Sequence, residues 1–337
     1  MGKQLVSIVV PAHNEEACLP ALYDAVVAAL EGEAESYDWE LVIVNDGSTD
    51  DTSAVLDALS ERDHRVHGVH LARNFGQQSA LLAGLAEARG VVVTMDADLQ
   101  QPPSVIPQML RLYEEGYQII HGVREDHPQT RWFKRTSSRW FYRVFSFLTR
   151  VPTEPGMLDF KLMTRQVVEV ILSLPESDFF LRGLAAWVGF KQARLPYRSE
   201  LRRAGETKYS TRAMIAFAMR GITSFSTFPL RLSAYLGLAM TALSLGYGGY
   251  VTVRHFLWEH PQPGYASTVV LIALLMGIQF LLIGVLGEYV GRIHVEVKRR
   301  PRFIVARRSY SEADPSVSSE PAPLPFDDRV VGYSRFH

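Results

Sequence analysis

Cysteine is nearly absent from this sequence: Cys18 is the only one in 337 residues. A lone thiol excludes an intramolecular disulfide framework and any metal centre built from several cysteines. Dinucleotide and P-loop signatures are missing as well, since neither G-x-G-x-x-G nor G-x-x-x-x-G-K-[ST] occurs. H-E-x-x-H is absent, and the ten histidines are scattered without zinc-like spacing. Charge of one sign is not in excess either. The 35 Lys+Arg and 36 Asp+Glu leave a net charge of −1, so the basic footprint of a nucleic-acid partner is lacking. No signal peptide is expected, because Leu5–Val10 is short, breaks at Pro11 and runs into His13-Asn14-Glu15-Glu16. What is there is a chain 47% hydrophobic, able to bury a core, which excludes wholesale disorder.

The near-neutral total hides three unlike segments. Residues 1–200 carry a net charge of −8, residues 201–308 carry +10 and residues 309–337 carry −3. Within the basic middle, Leu232–Val253 and Ala266–Gly287 each run 22 residues without a charged side chain. As helices at about 1.5 Å per residue they are about 33 Å long, enough for a bilayer core of about 30 Å. A pair of buried soluble helices is the alternative. The flanks predict an orientation. Arg202, Arg203, Lys208, Arg212, Arg220 and Arg231 precede the first span, and a second basic run from Arg292 to Arg308 follows the other. The connecting loop has Glu259 and no Lys or Arg beyond Arg254. The positive-inside rule then puts both ends and the front domain in the cytoplasm. Thr211–Phe225 and Arg131–Leu148 read as basic or apolar amphipathic helices of a headgroup layer, with ordinary core-packing helices as the competing reading. The tail from Ser309, rich in Ser, Pro and acids, reads as disordered.

The front segment alternates. Leu5–Val10, Leu41–Val44 and Val91–Met95 are apolar runs of strand length, and each stops at a polar turn. Helical stretches lie between them, over roughly Glu15–Leu30, Asp50–Glu61 and Gln77–Ala88. This order predicts an α/β fold with a mostly parallel sheet covered by helices on both faces. Ligands of such sheets bind beyond the carboxyl ends of the strands. Those ends are His13-Asn14-Glu15, Asn45-Asp46-Gly47-Ser48 and Asp96-Ala97-Asp98.

Asp96 and Asp98, one residue apart at a strand end, can approach one hard cation, and oxygen ligands suit Mg2+ or Mn2+. Two surface acids in a turn, with Asp98 as a helix cap, is the plainer reading of the same triplet. Asn45-Asp46-Gly47-Ser48-Thr49-Asp50 reads either as a glycine turn leading to a helix cap or as a place where Asp46 accepts hydrogen bonds from a nucleobase or ribose.

Taken together, these segments resemble a known family. Val10-Pro11-Ala12-His13-Asn14-Glu15-Glu16 is similar to the V-P-x-x-N-E-x opening of family 2 glycosyltransferases, and Asn45–Asp50 to their D-D-G-S-x-D segment. Four further segments resemble the polyprenyl-phosphate branch of that family. They are Arg73-Asn74-Phe75-Gly76-Gln77-Gln78-Ser79-Ala80, Met95–Gln100, Arg202-Arg203-Ala204-Gly205-Glu206-Thr207-Lys208-Tyr209 and Leu286–Arg292. The resemblance runs in order from about Leu5 to Phe303.

The resemblance implies a GT-A catalytic domain over 1–210, an interfacial helix over 211–230, a two-span transmembrane hairpin over 231–293 and a basic, then disordered, tail over 294–337. It implies inverting transfer of a sugar from a nucleotide donor to polyprenyl phosphate at the cytoplasmic face of a bacterial inner membrane. Pro11, Ala12, Glu15 and Asp46 match positions that hold the nucleoside. Asp96, Asp98 and Gln100 match the metal and diphosphate site, and Arg124 and Lys134 match basic positions beside the phosphates. Arg202 and Lys208 match the basic pair of an R-x-x-G-x-[ST]-K-Y motif, and Asp159 matches an aspartate proposed as general base. A phosphate monoester is already mostly dianionic at pH 7, its second pKa being about 6, so Asp159 is expected to position rather than deprotonate. Lys161 replaces a usual Arg, Thr207 a usual Ser, and Gln101 stands where an acid or Asn is common. These departures leave the sugar open: UDP-glucose leads, with UDP-4-deoxy-4-formamido-L-arabinose and GDP-mannose as alternatives. A processive polysaccharide synthase needs Q-x-x-R-W, and Gln129-Thr130-Arg131-Trp132 is one residue short. A non-enzymatic membrane scaffold is the remaining rival. Expected partners are the nucleotide sugar, the lipid phosphate and the membrane, with no nucleic acid; homo-oligomerisation is left open.

Overall fold

A computed structural model of the chain describes residues 3–124, 157–174, 181–198, 228–257 and 264–310. Two compact units divide them, one holding residues up to 198 together with 299–310, the other 228–257 and 264–298.

In the first unit the apolar run at the N-terminus forms β1 (Gln4–Ala12), with Val6, Ile8, Val9 and Val10 wholly buried. Burial on both faces is what a central parallel strand requires. It is followed by α1 (Leu19–Leu30), β2 (Tyr37–Asn45), α2 (Thr52–Arg62), β3 (Val66–Leu71), α3 (Gln77–Glu87) and β4 (Val91–Thr94). Then come α4 (Ile106–Glu114), β5 (Ile119–Arg124), β6 (Met157–Met163), α5 (Arg165–Ser173), α6 (Leu181–Trp187) and β7 (Gln192–Tyr197). The last strand of the unit, β8 (Val305–Ser309), comes from near the C-terminus.

The eight strands form one sheet in the order β7-β5-β6-β4-β1-β2-β3-β8. The sequence predicts a mostly parallel sheet, and the centre obeys: β4, β1, β2 and β3 pair in parallel. The flanks correct it to a mixed sheet. β6 runs antiparallel to both β4 and β5, and β8 runs antiparallel to β3. Helices cover both faces. Val6, Ile8 and Val10 join Leu22 and Val26 of α1 and Met109 of α4 in one core. On the other face α3 lies so close that a Cβ on Gly84 would meet Val9 Cγ1 at 2.3 Å.

Two registers position the site. Ala12 pairs with Asn45, and Val9 with Thr94, so the carboxyl ends of β1, β2 and β4 share one edge. Because β6 is antiparallel, Thr94 pairs with Lys161, which brings the start of β6 to that same edge.

The second unit is helical, with α7 (Phe228–Leu257) and α8 (Tyr265–Val297) packed against each other. Leu238, Leu245, Leu274 and Phe280 are among its many exposed large apolar side chains. The sequence predicts two membrane spans; among the described residues one stretch, Leu274–Val297 of α8, is long and apolar enough to cross a membrane. Gly, Ser, Thr and Tyr residues such as those of Ser244–Tyr250 dilute the apolar character of α7. The segments Thr211–Phe225 and Arg131–Leu148 lie outside the described residues, as does the expected disordered tail except for Ser309, which instead ends β8, and Tyr310.

Candidate active site

The β2–α2 turn is built by local chemistry. Asn45 Oδ1 accepts the Ser48 N–H at 2.9 Å. Gly47 turns with φ +62°, and a Cβ there would lie 2.4 Å from the Arg73 carbonyl carbon. The β1–α1 loop is clipped to this turn. Asn14 Oδ1 accepts the Thr49 N–H at 2.8 Å, the Glu15 N–H donates to Thr52 Oγ1 at 2.9 Å, and Glu16 Oε2 accepts the Asp51 N–H at 2.9 Å. Pro11 and Ala12 are buried and Glu15 is half-buried at this junction.

Four consecutive residues link the strand ends. Asp46, itself buried, accepts the backbone N–H groups of Phe75 at 2.7 Å and Gly76 at 2.9 Å. The next residue, Gln77, donates its amide to Asp96 at 2.7 Å, and Gln78 donates to Asp159 at 3.1 Å. Phe75–Gln78 therefore ties together three of the predicted site carboxylates. Asp46 thus holds this loop through one oxygen for each amide, a structural role beyond the glycine turn and helix cap read from the sequence.

Asp96 lies between two carboxamides. Gln101, fully buried, donates Nε2 to Asp96 Oδ2 at 2.6 Å and accepts the Asp96 N–H at 2.9 Å. Gln77 takes the other oxygen. The Gln100 N–H donates to Asp98 Oδ1 at 3.1 Å, and Leu99 between them has φ +59°. Burial, then the nearby charges of Asp159 and Asp98, push the Asp96 carboxyl up to about 7. Asp96 is therefore a carboxylate short of neighbouring positive charge. Among the described residues no three His, Cys, Asp or Glu side chains converge on one metal position. Asp96 and Asp98 nevertheless fit a hard cation, since Mg2+ is commonly held by one or two carboxylates with substrate phosphates and water completing the shell.

Asp159 is buried at the start of β6, and its charge is met from two sides. The Arg182 guanidinium at the start of α6 binds both oxygens, Nε at 3.1 Å and Nη2 at 3.0 Å. Lys161 Nζ, equally buried, lies 3.9 Å away. Burial alone would raise the carboxyl; Arg182 and Lys161 overcome it and hold Asp159 below the usual carboxylate range. Burial lowers the Lys161 ammonium to about 8 despite Asp159. Thr94 Oγ1 donates to the Asp159 carbonyl oxygen and fixes the backbone here.

Arg124 ends β5 with its side chain exposed, opposite Tyr197 of β7. Lys134, Arg202 and Lys208 lie outside the described residues. Gln77, Gln78, Gln101 and Arg182 form part of the site without having been singled out as site residues from sequence. Gln77 and Gln78 sit in one of the motifs named above and Gln101 directly follows another, whereas no motif marks Arg182.

Two family models match the chain. Glycosyl transferase family 2 matches residues 7–168, and the GtrB C-terminal hairpin matches residues 228–293. A prophage bactoprenol glucosyl transferase homolog of Escherichia coli K12 is 39% identical over 303 residues, covering 90% of this chain and 98% of that protein. The SfII prophage-derived bactoprenol glucosyl transferase of Shigella flexneri is likewise 39% identical over 303 residues, covering 90% and 97%. Among solved structures, the mannosyltransferase PcManGT of Pyrobaculum calidifontis in complex with GDP-Man and Mn2+ gives a TM-score of 0.48 at 18% identity, covering 86% of this chain and 88% of that one.

Proposed function

Because the chain belongs to glycosyl transferase family 2 and is a glycosyltransferase, we propose that it transfers glucose from UDP-glucose to polyprenyl phosphate at the cytoplasmic face of a bacterial inner membrane. The observation that carries this reading is the gathering of Asp46, Asp96 and Asp159 by Phe75–Gln78 at one sheet edge. Near full-length similarity to a protein named as a bactoprenol glucosyl transferase, and to another named as a homolog of one, supports the sugar and the lipid.

In the reaction a lipid phosphate oxygen attacks the anomeric carbon, the bond from that carbon to the donor's diphosphate oxygen breaks, and the sugar inverts. Pro11, Ala12, Glu15 and Asp46 hold the nucleoside, Asp46 with the lone pairs its two amide donors leave over. A divalent cation, Mg2+ or Mn2+, supplies an electrophile for the charge that develops on the departing diphosphate. Asp96, Asp98 and Gln100 would hold it, and the neutral carboxamides of Gln77 and Gln101 orient Asp96 for that purpose. Arg124, Lys134, Arg202 and Lys208 provide further positive charge for two anionic substrates. Asp159, already ionised and bound by Arg182, acts by fixing that guanidinium at the site rather than as a base. α7 and α8 anchor the enzyme where its acceptor lies, and the basic flanks orient both ends inward.

A donor panel with short-chain undecaprenyl phosphate, read by the mass of the lipid product, tests the assignment. UDP-glucose is expected to give the hexosyl lipid, and Asp98→Ala is expected to abolish metal-dependent transfer. Product from GDP-mannose or UDP-4-deoxy-4-formamido-L-arabinose alone would replace the sugar, and no product from any donor would sink the reaction.

A further inference from the structure

Tyr197 closes β7 almost fully buried, at 4% exposure, yet its hydroxyl has no hydrogen-bond partner among the described residues. Burying a hydroxyl without a partner is unfavourable, so each such group in a folded protein calls for an explanation. Two contacts fix its place. Its ring packs edge-on against Phe160, the residue after Asp159, with centroids 5.3 Å apart and planes at 85°. Its backbone pairs with Arg124 across the β5–β7 ladder, at the sheet edge where the site residues gather. The hydroxyl lies within electrostatic reach of Arg124, Asp96, Asp98 and Arg182. Neither acidic side chain takes it as a partner, and both Asp96 oxygens already accept from Gln77 and Gln101. A buried phenol beside these groups stays protonated, with burial pushing it up to about 12, so at neutral pH it can donate.

We propose that Tyr197 is a substrate-binding residue whose hydroxyl donates a hydrogen bond to a phosphate oxygen held beside Asp96, Asp98 and Arg124. This rests on the nucleotide-sugar and lipid-phosphate reading above. A neutral donor suits the place: it satisfies an anionic oxygen without adding a charge that Arg182 or Arg124 would repel. The phosphate belongs either to the donor's diphosphate or to the lipid acceptor, and the two sources separate in the experiment.

The test compares the full-length protein in detergent with its Tyr197→Phe variant. Removing a hydroxyl that has no partner among the described residues is expected to leave the thermal midpoint unchanged or raise it. Binding is expected to weaken by roughly ten- to a hundredfold, as for a lost hydrogen bond to a charged group. Weaker UDP affinity in the presence of Mn2+, read by calorimetry, identifies the donor's diphosphate. Unchanged UDP affinity with a raised KM for short-chain undecaprenyl phosphate identifies the acceptor. Unchanged UDP affinity and unchanged KM values beside an active wild type overturn the proposal alone. A lowered midpoint also overturns it, because the hydroxyl then has a structural partner. A wild type that binds neither UDP nor GDP and glycosylates no lipid overturns the underlying reading, and Tyr197 with it.

Discussion

Asp159, Lys161 and Arg182 decide how the site titrates. A carboxylate held by a bidentate guanidinium and a nearby ammonium sits below the usual carboxylate range, so it is ionised far below neutral pH. Its stabilising effect is complete above the unfolded value of about 3.9 and fades only as pH falls through the lower folded value. A group placed so far from the working pH is a weak general base, since efficient bases lie near it. Lys161 is the member of the trio that titrates close to neutrality, lowered to about 8 by burial. Its unfolded value is about 10.4, so between these two values the unfolded chain binds more protons and stability rises with pH. Turnover should do the opposite, because deprotonated Lys161 no longer helps hold Asp159. An alkaline limb near pH 8 in kcat/KM, with no loss of thermal stability over the same range, is therefore expected. In Lys161→Arg the guanidinium does not titrate there, so the limb should disappear even if the longer side chain lowers stability by about 1–3 kcal/mol. An unmoved limb would assign it to another group.

Among elements, the β2–α2 turn shows what a sequence reveals about a site and where it stops. Asn45–Asp50 read two ways, as a turn or as a nucleoside contact, and the structure gives it a turn's bonds together with Asp46 bonds to Phe75 and Gly76. The central strands were legible because Leu5–Val10, Leu41–Val44 and Val91–Met95 are continuous apolar runs, as strands buried on both faces must be. β6 was not, because Met157–Met163 alternates apolar and polar residues like a half-exposed strand, while Asp159 and Lys161 are in fact buried with Arg182 as partner. No local pattern announces a charge pair whose third member lies 23 residues away. β3 fell short of a strand signal for a similar reason, with His67 and His70 interrupting its apolar run though both are buried. The turn yields a direct prediction. Gly47→Ala must adopt a left-handed φ, costing roughly 1–2 kcal/mol, and must also push aside the Arg73–Asn74 backbone. The loop that carries the Phe75 and Gly76 amides then moves, so a loss of at least about 2 kcal/mol is expected. It should come with weaker UDP binding, and a variant that loses stability yet binds UDP normally would detach Asp46 from the nucleoside.

At the scale of the whole chain, the sheet is completed from beyond the helical unit. Only seven residues separate Val297, the end of α8, from Val305, the start of β8, which pairs with β3. Side chains reinforce the strand. Arg307 binds Asp57 at 2.7 Å, Arg308 binds Glu87 at 2.5 Å, and Ser309 and His70 share a hydrogen bond at 3.1 Å. The basic run that read from sequence only as a membrane collar thus also closes an edge of the sheet that would otherwise stand open. Removing the helices by simple truncation before α7 therefore deletes part of the first unit. Such a truncation is expected to lose about 2 kcal/mol, chiefly from the part-buried Arg308–Glu87 contact with the exposed Arg307–Asp57 pair adding less, which lowers Tm by roughly 4–8 °C for a unit of this size. A chain in which a flexible linker replaces α7 and α8 but β8 is kept should recover that loss. It should also bind UDP like the full-length protein while turning over long-chain polyprenyl phosphate poorly, because acceptor and site no longer share a surface. Thermal midpoints, UDP affinity and long-chain turnover of the three forms separate the two functions of the C-terminal region. Equal midpoints for the truncated and linker forms would remove β8 from the fold's support, and equal losses of UDP binding and long-chain turnover in the linker form would remove the helices from acceptor presentation.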